Sequence, residues 1–80
     1  MSIVTQEQKD KVRNAIREEE VVLALDLAKS GTVTDCNRLR GFYAVAGMSQ
    51  VLSYLGEEDL HKEALACMDR MMQFPTRKGY

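Results

Sequence analysis

The chain has 80 residues, 29% of them charged and 45% hydrophobic, and its formal net charge is −1. That length makes one domain, the hydrophobic share argues against disorder, and the near-neutral balance argues against the clustered basic surface of a dedicated nucleic-acid binder. No segment reaches the roughly 20 apolar residues of a membrane-spanning helix.

The first ten residues, MSIVTQEQKD, lack the apolar core of a secretory signal. A cytoplasmic location follows as an expectation, with Cys36 and Cys67 as reduced thiols. Thr5 and Gln8 have the spacing of a capping box, in which a hydroxyl caps the helix start and the glutamine reaches back. A first helix is predicted from about Gln6 to Lys29, with Val12, Ala15, Ile16, Leu23 and Leu27 recurring near helical spacing. Glu18, Glu19 and Glu20 interrupt that pattern and allow a kink. Beyond them VVLALDLA is apolar on most of its circumference, so the second half of the helix is expected to be buried. Gly31 supplies the left-handed residue that closes a helix.

Thr34 reads as the next cap, with Asp35 favourable beside the helix dipole. The second helix is predicted over about Asp35 to Leu55. From Gly41 to Gly56 it contains no charged residue. Phe42, Val45, Met48, Leu52 and Leu55 are expected to line its buried face. Gly41, Ala44, Gly47 and Ser49 make it rich in small residues, and a glycine inside a helix costs about 1 kcal/mol relative to alanine. Close approach of another helix, from within the chain or from a second subunit, is the expected return. Gly56 ends this helix. Glu57, Glu58 and Asp59 then open a third, which runs to about Gln73 with Leu60, Ala64, Cys67, Met68 and Met71 on one stripe. The tight turn at Gly56 makes the last two helices an antiparallel hairpin. Residues 75–80 are expected to be a mobile basic tail. No alternating pattern is long enough for a sheet.

The candidates for chemistry are few. Glu58 and His61 have the i, i+3 spacing of a carboxylate–imidazole metal pair, but they stand in a first turn among acids expected to be solvated. Cys36 lies at a helix start, which activates a thiol, yet the hairpin puts His61 at the other end of the second helix. Folding about Gly56 also sets Cys67 roughly 15 Å from Cys36, beyond the reach of a disulfide. Arg38 and Arg40, with Arg77 and Lys78, could touch phosphates. A recognition helix, however, needs a polar exposed face. No catalytic residue, metal or cofactor is therefore expected.

The expected fold is all-α: a three-helix bundle, or a helical hairpin with an additional packed helix. Tyr43, Val51, Tyr54, Met72 and Phe74 exceed what one small core needs, and they are the predicted partner-binding residues. Tyrosine suits interfaces because it buries area while keeping a polar tip, and thioethers adapt to partners. The expected function is a non-enzymatic protein-binding module, working as a homodimer or a hetero-complex. A small assembly subunit or chaperone is the alternative, and a nucleic-acid-associated regulator the third reading.

Overall fold

The computed structural model describes residues 4–79. Helix α1 spans Gln6–Ser30, α2 Asp35–Leu55 and α3 Glu58–Met72. Two short strands, β1 at Val33–Thr34 and β2 at Thr76–Arg77, pair in parallel. The fold is an all-α three-helix bundle, elongated to 44 × 19 × 17 Å.

The helix ends follow from the caps. The Thr5 hydroxyl accepts from the Gln8 amide while the Gln8 side chain accepts from the Thr5 amide. The Thr34 hydroxyl accepts from the Asn37 amide. Gly31 and Gly56 both adopt positive φ, 75° and 73°, which a residue with a side chain resists. Helix α1 runs unbroken through its three glutamates. Glu20 is held against Arg70 of α3, which gives that stretch a tertiary reason to stay helical.

The core is one cluster. Ile16 and Leu23 come from α1, Val33 from β1, Val45 and Leu52 from α2, and Leu60, Ala64, Cys67 and Met71 from α3. Helix α3 buries the expected stripe, with Met68 at its half-buried edge. Helix α2 is rotated from its expected setting. Gly41, Val45, Ser49 and Leu52 face inward, Phe42 and Met48 are half-buried, and Leu55 is exposed. The reason is backbone approach. A methyl group at Gly41 would lie 3.3 Å from Leu23 Cδ1 and 3.4 Å from Met71 Sδ, so glycine admits both neighbours.

The second half of α1 also differs from expectation. Leu23 is buried and Leu27 half-buried, but Val21, Val22 and Leu25 face solvent. Two partner helices cover only one side of a helix, and a run that is apolar all round leaves the other side bare.

Residues 75–79, expected to be a loose tail, are tied down. The Val33 amide donates to the Pro75 carbonyl at 2.9 Å and the Cys36 amide to Gly79 at 3.4 Å. Arg77 donates to the Thr32 carbonyl and to both oxygens of Asp26, the latter at 3.2 and 3.3 Å. Tyr80 lies outside the described residues.

Candidate functional site: the outward face of α2

The inward stripe of α2 fixes the outward one. With 3.6 residues per turn, burial of Gly41, Val45 and Leu52 sends Tyr43, Gly47, Gln50 and Tyr54 to the opposite side. All four are exposed, Tyr43 at 66% and Tyr54 at 83%. Val51, 56% exposed, stands on the flank. The Phe42 ring, half-buried, meets the Tyr43 ring edge-on at 5.7 Å and helps to orient it. Beside this stripe lies a shallow apolar groove of about 290 Å³, lined by Val4, Val12, Gly47, Met48, Val51, Leu52 and Leu55.

Of the predicted partner-binding residues, Tyr43, Val51 and Tyr54 therefore share one face. Met72 does not join Tyr54. It is 42% exposed, but Arg38 donates to the Met72 carbonyl at 3.1 Å, which places it beside the start of α2. Tyr54 stands near that helix's other end. Phe74 is a correction: it is half-buried and packs against the core. The chain turns back after Gln73 to reach β1, and Arg38 holds the Phe74 carbonyl at 3.1 Å, so the ring is drawn inward.

Gly47, read from the sequence as one of the small residues that admit a neighbouring helix, also stands on this face. Among the described residues, a methyl group there would meet nothing within 4 Å. Sequence reasoning missed Val21, Val22 and Leu25 on α1, and Leu39 and Leu65, all exposed. The signal for the α1 group was VVLALDLA itself, which carries more apolar residues than one helix side can bury.

Polar groups are concentrated elsewhere. Arg13 meets Glu63 at 2.9 Å, and Arg70 meets both oxygens of Glu20 at 2.8 and 2.9 Å, stitching α1 to α3. Hydrogen bonding from Arg70 holds the Glu20 carboxyl below its ordinary pKa. Lys9 meets Glu57 at 3.3 Å. With Arg77 on Asp26 and Arg38 on two carbonyls, most of the cations near the bundle's seams serve the fold.

The chemical candidates are separated from one another. His61, expected on the surface, is half-buried; its Nδ1 lies 3.0 Å from the Ser49 carbonyl and 3.4 Å from the Ser49 hydroxyl. A carbonyl only accepts, so Nδ1 carries the proton and donates. Among the described residues no group of three or more His, Cys, Asp or Glu side chains is placed to hold a metal ion. Cys36 and Cys67 are both free thiols. Burial, reinforced by the charge of Glu20, pushes the Cys67 thiol up to about 11, which keeps it protonated and unreactive. Among the described residues no helix is long and apolar enough to cross a membrane.

Comparison with protein-family models, with curated proteins and with solved structures finds no match to this chain.

Proposed function

We propose that this chain is a protein-binding module, not an enzyme, and that it acts by occupying a partner's surface with the outward face of α2. One observation carries the proposal. Tyr43, Val51 and Tyr54 are largely exposed on a face without a charged side chain between Gly41 and Gly56. Tyrosines are enriched and charges depleted at the centres of protein interfaces. The partner is a second copy or a different protein of its cytoplasm, and it meets a rigid helix rather than a loop.

The test is capture from native lysate by the tagged chain, run beside the Tyr43→Ser/Tyr54→Ser variant. Both side chains already face water, so the variant should keep wild-type helicity by circular dichroism. It should lose the specifically captured protein or its own self-association. Unchanged binding by a folded variant would remove α2 from the role.

A second reading, a small assembly subunit, draws support from a different place. Val21, Val22 and Leu25 give α1 its own exposed apolar face. A subunit with two such faces can touch two neighbours. Under that reading the purified chain forms large assemblies, and Val22→Ser/Leu25→Ser limits their size.

A further inference from the structure

Gly47 lies mid-helix and faces outward, and none of the described residues comes within 4 Å of where its side chain would begin. Within one copy, alanine would serve the helix better. Glycine at such a position lets a second backbone come close. On either side of it, Arg40, Tyr43, Gly47, Gln50 and Tyr54 recur at alternating spacings of three and four, and every one is exposed. That spacing keeps a single seam facing a neighbouring helix.

Charge at the two ends of the seam selects the orientation. Arg40 stands at its start, and the exposed acids Glu58 and Asp59 stand just past its end. Two copies lying in the same direction would set arginine against arginine and acid against acid. Two copies lying in opposite directions bring each arginine to the other's acids, and the helix dipoles also run favourably. An identical neutral face covers the middle without stranding a charge. Tyr43, Val51 and Tyr54 are 66%, 56% and 83% exposed and supply the neutral centre of the seam, where an interface is depleted of charge.

We propose that this seam binds the same seam of a second copy in antiparallel orientation. Tyr43 of each copy lies opposite Tyr54 of the other, Gly47 lies beside the two-fold axis, and Arg40 of each copy meets Glu58 of the other. The contact is isologous, so it closes at two copies. This pairing rests on the outward face of α2 being a protein-binding surface, and names its partner.

Sedimentation equilibrium of the full chain under reducing conditions, from micromolar to near-millimolar concentration, tests it. The wild type should follow a monomer–dimer equilibrium. Arg40→Glu alone and Glu58→Arg alone should each weaken dimerisation by about tenfold, because each sets two like-charged pairs in the homodimer. An equimolar mixture of those two variants should recover dimer near the wild-type level, since both cross-pairs are then opposite in sign. Gly47→Leu should be monomeric with wild-type helicity. A wild type that stays monomeric at every concentration overturns the pairing, as does a mixture that fails to recover. A Cys36–Cys36 disulfide dimer on mild oxidation would show parallel helices and also overturn it. A monomer whose Tyr43 and Tyr54 still capture another protein sinks this pairing while sparing the binding role of α2.

Discussion

Gly41 and Gly47 are six positions apart on the same helix and have opposite surroundings. Gly41 is buried, with Leu23 and Met71 at the distance of tight contact from any added carbon. Gly47 is exposed, and none of the described residues stands within 4 Å of an added carbon. The inward side of α2 is thus complete within one copy: its small residues are matched by large side chains from α1 and α3. The outward side sets Gly47 between Tyr43 and Tyr54 and has no such match among the described residues. One side of this helix is packed within the chain, and the other is the face proposed above to meet a partner.

That contrast can be broken by substitution. The largest effect is expected where α2 and α3 close over α1: Met71 is fully buried, and Met71→Ala should cost about 2–5 kcal/mol in urea unfolding. Gly41→Val forces branched carbons against Leu23 and Met71 and should cost about 1–3 kcal/mol. Gly47→Ala reverses the sign: with open space around it, the variant should gain about 0.5–1 kcal/mol. Loss of stability there, measured at concentrations too low for self-association, would show that the two glycines are alike after all.

The smallest effect sharpens a different border, between the neutral face of α2 and the charged seam of α1 and α3. Arg70 lowers the pKa of the Glu20 carboxyl in the folded chain. The stabilisation is therefore complete above the unfolded carboxylate pKa and fades as pH falls through the lower folded value. Arg70 is 55% exposed, so solvent screens the pair. Arg70→Ala should lose only about 0.2–1 kcal/mol at neutral pH, and its unfolding curve should converge on the wild type in strong acid. A gap that widens on acidification would contradict this sign.

The three helices were legible because their ends are marked by side chains that act locally. Thr5 with Gln8, Thr34, Gly31 and Gly56 each cap or stop a helix through bonds within a few residues. The α3 stripe was legible because apolar and charged residues segregate cleanly there. The rotation of α2 was not, since a window without charge shows no polar side to point outward. Phe42 and Leu55 looked like core residues, while Gly41 and Ser49, which admit the neighbouring helices, carry no hydrophobic signal. Of the candidate face, Tyr43, Val51 and Tyr54 were readable as surplus. Phe74 was misplaced because its burial depends on where the chain goes after α3, and pairing only two residues long leaves no pattern to read. His61 was missed for a related reason, as its partner Ser49 belongs to another helix.

The clasp between β1 and β2 has a kinetic corollary. Arg77 and Thr32 lie 45 residues apart in sequence, and the parallel strands beside them can meet only after α2 and α3 have folded back on each other. Long-range pairing of this kind forms late. It is also exposed along one edge and short, so it should be the first element to let go. Amide exchange at Val33 and Cys36, whose donors reach Pro75 and Gly79, would then be faster than at Val45. The bundle would loosen from its latch while its heart stayed closed.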